Sequence, residues 1–204
     1  MTEVVGVILA GGLGTRFEDG NKLLASINED GEPIVSRALR TFDGDAVDHT
    51  VAVLGHEADA VGEVVSDRVD ETVHNPAYEE GQSTSVRAGV RAARDREADA
   101  AVFLPGDMPC LDRETVRTIT TAYRNGDVEV VVPTYEGRRG NPVLFGSSQF
   151  EALLSVSGDT GGRALFETAD VNRVAVDDPA IHLDVDTVEE RDRLRESGCD
   201  DARS

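Results

Sequence analysis

Short apolar runs alternate with amphipathic helical stretches along the whole chain, a pattern that few folds can satisfy. Strands are expected over residues 4–9, 50–54, 71–75, 100–104, 128–133, 142–145, 171–176 and 181–185. Helical periodicity and start signals predict helices over 33–41, 57–66, 83–94, 112–123, 161–168 and 187–196. The runs Ala101-Val102-Phe103-Leu104 and Val130-Val131-Val132 are apolar at successive positions, as strands covered on both faces must be. The alternation therefore predicts an α/β fold, a three-layer sandwich with a mostly parallel central sheet. Glu136-Gly137-Arg138-Arg139-Gly140 reads as a hairpin off that sheet. The expected organisation is one domain over residues 1–196 and a frayed tail over 197–204.

Open parallel sheets bind ligands at the carboxyl ends of their strands. The polar motifs fall there: Ala10-Gly11-Gly12-Leu13-Gly14-Thr15-Arg16-Phe17 follows the first strand, Gly106-Asp107-Met108-Pro109 the fourth, and Asp184-Val185-Asp186 ends the last. Lys22, the only lysine among 20 basic residues, stands just beyond the first of them. A compact ammonium on a flexible stem suits contact with a phosphate oxygen as a point charge, which a guanidinium does not reproduce. The Gly12–Phe17 string lacks the third glycine of a dinucleotide fingerprint, and Gly20-Asn21-Lys22-Leu23 fails the P-loop spacing. What remains is a glycine-rich turn with exposed amides, an arginine and a lysine, a set that can cradle a triphosphate.

Asp107 follows a buried strand with no helix to cap, which fits a ligand to a hard divalent cation such as Mg²⁺. Asp184 and Asp186 lie on one face of the last expected strand, and either could complete the site. Asp186 could instead cap the helix beginning near Thr187, so Asp184 is the preferred second ligand.

The net charge of −20 disfavours nucleic acid and anionic membranes as partners. Acidic residues dispersed along the chain, with arginine in place of lysine, suit a salt-rich cytoplasm. Cys110 and Cys199 are 89 positions apart and give no signal for a disulfide or a zinc site, and Cys110 is expected to pack in the core. The four histidines form no metal spacing or triad and are expected at the surface or in loops.

The motifs together resemble the molybdenum cofactor cytidylyltransferases and related molybdopterin nucleotidyltransferases, within the nucleotide-diphospho-sugar transferase fold. Besides the segments above, the resemblance rests on Asn21-Lys22-Leu23-Leu24, Asn75-Pro76, Gly81-Gln82-Ser83-Thr84-Ser85-Val86-Arg87-Ala88-Gly89, Gly140-Asn141-Pro142-Val143-Leu144-Phe145 and Gly158-Asp159-Thr160-Gly161-Gly162-Arg163. It covers nearly the whole chain and implies a Rossmann-like sandwich. It further implies a triphosphate cradle of Gly11, Gly12, Gly14, Thr15, Arg16 and Lys22, with Leu9 and Ala10 as the floor of the base and Gln82, Ser83 and Ser85 against it. Asp107 would hold the metal, Arg16, Lys22 and Asp107 would carry the catalysis, and Asn141 and residues 159–163 would face the acceptor. The implied reaction moves a nucleoside monophosphate, CMP from CTP, onto a phosphate monoester such as molybdopterin with release of pyrophosphate. Two departures bear on the acceptor. Gly14-Thr15-Arg16-Phe17 is similar to sugar-phosphate nucleotidyltransferases, and Asn141 stands where many cytidylyltransferases have histidine. Guanylyl transfer, transfer to a sugar phosphate, nucleotide binding without catalysis and an NAD(P)-dependent oxidoreductase are the alternatives.

Overall fold

The computed structural model describes residues 2–202 other than 29, 159–164 and 167–168. Among these residues, eight strands form one sheet in the order β3-β2-β1-β4-β7-β5-β6, with β8 on β5. They are β1 (Val4–Ala10), β2 (His49–Leu54), β3 (Glu71–His74), β4 (Ala100–Pro105), β5 (Val130–Tyr135), β6 (Arg138–Arg139), β7 (Val143–Gly146) and β8 (Val171–Ala175). The β1–β2, β1–β4, β2–β3 and β5–β8 pairs are parallel, whereas β7 runs antiparallel to β4 and β5. The helices are α1 (Ile34–Leu39), α2 (Ala58–Val65), α3 (Gln82–Asp95), α4 (Arg113–Asn125), α5 (Phe150–Leu154) and α6 (Val188–Ala202).

The two-faced apolar strands generate the layering. Along β1, Val4, Ile8 and Ala10 enter one core with Val35, Leu39, Val61, Val65, Val116 and Ile119 from α1, α2 and α4. Val5 and Val7 enter the opposite core with Val86, Val90 and Ala93 of α3 and Phe150 and Leu153 of α5. In β4, Ala100, Val102 and Leu104 face the first core and Ala101 and Phe103 the second. Successive residues thus serve both layers, as the period of two requires. This is the expected α/β sandwich. The Glu136-Gly137 turn, with φ of 51° and 76°, closes a β5–β6 hairpin through the mirror-image turn that suits strand twist.

Three expectations are corrected. Residues 181–185 form no strand: Asp178 caps a 3-10 turn over Pro179–His182, accepting from the Ala180 amide at 3.1 Å, and the Val185 amide donates to the Asp107 carbonyl at 2.9 Å. That stretch is therefore tied to the Asp107 loop and not to a sheet ladder. Cys110 and Cys199 are disulfide-bonded, because α6 folds back across the Asp107 loop and brings their Cα atoms to 5.1 Å. Residues 197–202, expected to fray, continue α6 past a kink at Gly198, and Cys199 is buried. The helix expected over 161–168 falls largely outside the described residues.

A third apolar cluster, with Phe17, Ile27, Ile34, Val185, Leu194 and the two cysteines, underlies the segments that carry Arg16, Lys22 and Asp184–Asp186. It fixes three polar loops relative to one another beside the carboxyl ends of β1 and β4.

Candidate active site

The glycine turn leaves β1 at Ala10 and returns through a 3-10 turn at Lys22–Leu24, whose Asn21 cap accepts from the Leu23 amide at 3.0 Å. Gly14 has φ +58°, a left-handed conformation that glycine adopts without penalty, and the Lys22 stem runs beside it, 3.4 Å from where a Cβ would stand. A Cβ on Gly12 would meet nothing within 4 Å and would project into open space. The backbone of the turn is therefore open to the space beside it.

Lys22 extends from this turn to 2.6 Å from Asp107 Oδ2 and 2.8 Å from Asp186 Oδ1. Arg16 Nη2 lies 2.6 Å from Asp186 Oδ2. Asp184 forms no ion pair among the described residues, yet its carboxylate lies with those of Asp107 and Asp186 in a group whose ligand atoms are all within 4.8 Å of one another. Burial alone would lower the Lys22 pKa, but Asp107 and then Asp186 raise it above the ordinary value, so the ammonium is held charged. Burial pushes Asp186 upward, and its contacts with Lys22 and Arg16 outweigh that and pull it down. Asp184 is pushed up by burial and then by the negative charges of Asp107 and Asp186. Asp107 Oδ1 is buried and has no hydrogen-bond partner among the described residues. An all-oxygen set with one unsatisfied carboxylate oxygen and an unpaired carboxylate beside it fits a hard divalent cation. Asp107, Asp184 and Asp186 are the residues that could hold it; Asp186 is engaged by Lys22 and Arg16, Asp107 through one oxygen by Lys22, and Asp184 forms no ion pair among the described residues.

The cap of the helix after Asp186 leaves the Asp186 side chain to Lys22 and Arg16. Thr187 caps α6: its hydroxyl accepts from the Glu190 amide at 3.2 Å, and the Glu190 carboxylate accepts from the Asp186 and Thr187 amides at 2.8 and 2.9 Å. This capping box leaves the Asp186 side chain out of the cap.

Two clefts meet at the cluster. The first, of about 440 Å³, is lined by Gly11, Gly12, Gly14, Thr15, Tyr78, Glu79, Gly81 and Ser85. The second, of about 450 Å³, is lined by Phe103, Arg138, Arg139, Asn141, Phe166, His182 and Asp184. Leu9, Arg16, Lys22, Gln82, Pro105, Asp107 and Asp186 line both. The geometry has room for two ligands whose ends meet over Lys22 and Asp107.

Most of the residues expected in the cradle line the first cleft, but two do not. Ala10 is fully buried in the core beside β1, because alternation along the strand turns Leu9 to the cleft and Ala10 away. Ser83 is 1 % exposed and lines neither cleft. On α3 the face toward the clefts carries Gln82, Ser85 and Val86, at the spacing that shares a helical face, and Ser83 lies off it. Asn75 fixes that first turn by donating to Thr84 Oγ1 at 2.8 Å and Ser85 Oγ at 3.0 Å.

Sequence reasoning missed Tyr78 and Glu79, on the 3-10 turn before Gly81, and the second-cleft residues Arg138, Arg139, Phe166 and His182. His182 is a cleft residue whose Nε2 lies 3.3 Å from the Arg138 carbonyl. The consecutive arginines in so acidic a chain were a usable signal. Residues 159–163, expected at the acceptor, lie outside the described residues.

The model of the MobA-like NTP transferase domain matches residues 6–174. The chain belongs to this family. MobA-like NTP transferases are nucleotidyltransferases, and the two clefts that meet at a lysine and a carboxylate cluster are consistent with that chemistry. Among curated relatives, the chain is 28% identical over 207 residues to the purine catabolism protein PucB of Bacillus subtilis, covering 94% of this chain and 96% of PucB. It is 27% identical over 202 residues to the bifunctional protein GlmU of Clavibacter sepedonicus, covering 96% of this chain but only 41% of GlmU. The molybdenum cofactor cytidylyltransferase of Escherichia coli is 27% identical over 138 residues, 67% of this chain and 69% of that protein. Among solved structures, the Mycobacterium sp. JC1 homologue of Rv0371c superposes with a TM-score of 0.80 at 27% identity, over 95% of this chain and 96% of that one. Rv0371c of Mycobacterium tuberculosis in complex with manganese gives 0.75 at 28% identity, over 96% and 100%. Among the described residues no helix is long and apolar enough to cross a membrane.

Proposed function

We propose that this MobA-like transferase moves CMP from CTP to a phosphate monoester of the molybdopterin type, with Mg²⁺ as its metal. The observation that carries this reading is the junction of the two clefts, where Lys22, Arg16 and Asp107 face both. The named activity of the Escherichia coli relative supports the choice of nucleotide and acceptor.

In this reading the triphosphate lies on the exposed amides of Gly11–Thr15, and Gln82 and Ser85 offer an amide and a hydroxyl to the edge of the base. An acceptor phosphate oxygen attacks the α-phosphorus in line as the bond to pyrophosphate breaks. No protein nucleophile or base is required, because a phosphate monoester is already largely ionised near neutral pH. Arg16 and Lys22 orient the phosphates and offset the charge that develops, a contribution worth on the order of 10²–10³ in rate per donor. A divalent cation held by Asp107 and Asp184 would supply further charge stabilisation at the phosphates. On the acceptor side, Arg138 and Arg139 line the rim of the second cleft and form no ion pair among the described residues. Arg139 is stacked 5.0 Å from the Phe166 ring centroid, and Phe166 in turn stacks on Phe145. A cationic rim over an aromatic wall suits an anionic acceptor with an unsaturated ring.

The test is pyrophosphate release with each of the four ribonucleoside triphosphates against a molybdopterin-type phosphate and glucose 1-phosphate. Turnover with the sugar phosphate alone would favour the reaction class of the Gly-Thr-Arg-Phe string and reject the acceptor proposed here.

A further inference from the structure

Among the described residues, the carboxylate cluster holds three acidic groups, Asp107, Asp184 and Asp186, against two cationic ones, Lys22 and Arg16. The lysine engages two of the three carboxylates at hydrogen-bond distance, and its side chain is 12% exposed. A divalent ion arriving at Asp107 would therefore meet a unit positive charge already seated on the same carboxylate. Lys22 also lines the first cleft, which the proposed reaction assigns to the triphosphate, so its ammonium borders both the carboxylates and that cleft. A triphosphate offers it a denser negative charge than one carboxylate does.

We propose that Lys22 is a placeholder cation: in the free protein it holds Asp107 against a divalent metal, and a nucleoside triphosphate draws it off, so that the metal enters with the nucleotide. The form of substrate bound productively is then the metal–nucleotide complex, and metal alone binds weakly. The inference rests on the metal site of the proposed reaction, but its test reads metal binding and needs no turnover. Failure here would leave nucleotidyl transfer itself untouched.

Mn²⁺ is titrated into the full-length protein without nucleotide, and free Mn²⁺ is read by electron paramagnetic resonance. Lys22→Gln should bind Mn²⁺ at least tenfold more tightly than the unsubstituted protein. Adding Asp107→Asn to Lys22→Gln should remove the gain. Mn²⁺ binding that is unchanged or weaker in Lys22→Gln, or a gain that survives Asp107→Asn, overturns the proposal. A second measurement requires no variant to fold. Because Lys22 is the only lysine, ¹⁵N-lysine labelling gives a single side-chain ammonium signal. A non-hydrolysable CTP analogue without metal should shift that signal, and Mg²⁺ alone should not. A shift with Mg²⁺ alone and none with the analogue would contradict the placeholder role.

Discussion

Lys22 Nζ lies 2.6 Å from Asp107 Oδ2 across 85 residues of sequence. One end of the contact is a 3-10 turn after the glycine loop, the other the loop that leaves β4, so the pair ties the glycine-rich turn to the carboxylate cluster. Its position where two clefts join makes it the natural focus for substitution.

Lys22→Arg is expected to lower turnover at least tenfold without altering the fold. The lysine stem packs against Gly14, and a planar guanidinium cannot place one compact charge between Asp107 and Asp186 in the same space. Pyrophosphate release and the thermal midpoint, measured together, check this, and near-normal turnover would count against it.

Asp107→Asn and Asp184→Asn should each abolish metal-dependent turnover, while Asp186→Asn should be milder. Asp107 carries the unsatisfied buried oxygen and Asp184 has no ion-pair partner among the described residues, whereas Asp186 is spoken for by Arg16 and Lys22. The metal concentration for half-maximal rate, measured in all three variants, separates the roles. A dead Asp186→Asn beside an active Asp184→Asn would reverse the assignment.

Arg139→Gln should raise the KM for the acceptor about tenfold or more and leave the KM for CTP unchanged. Arg139 lines only the second cleft, where its guanidinium stacks on Phe166. An equal effect on both constants would mean that the hairpin acts on the site as a whole.

The layered core was legible in the sequence because β1 and β4 carry apolar residues at consecutive positions, which only a doubly covered strand needs. The lining of the first cleft was legible because glycines and the lone lysine cluster in one turn. Ser83 was misplaced because its neighbours share its chemistry, and only the helical face of Gln82, Ser85 and Val86 separates them. The stretch 181–185 has the apolar content of a strand, yet its amide at Val185 is used by the Asp107 carbonyl, a contact between distant segments that no local pattern encodes. The Cys110–Cys199 bond was invisible for the same reason: it depends on where α6 lands.

The disulfide gives a separate prediction. It closes a loop of 89 residues and joins α6 to the segment just after Asp107, so its loss should cost about 2–4 kcal/mol of stability. A reducing agent should lower the thermal midpoint of the native chain and leave that of Cys199→Ser unmoved. Equal midpoints with and without reductant in the native chain would show the thiols unpaired.

The most direct measurement is nucleotide preference with the proposed acceptor. Gln82 and Ser85 line the first cleft, where the proposed reaction sets the base, and polar groups arranged for one base are left unpaired by another. With a molybdopterin-type phosphate and Mg²⁺, pyrophosphate release should favour CTP over GTP by at least tenfold, and Lys22→Arg should depress both. Equal or greater turnover of GTP would contradict the cytidylyl assignment, and absence of pyrophosphate release with every nucleotide and acceptor in the panel would contradict nucleotidyl transfer at this site.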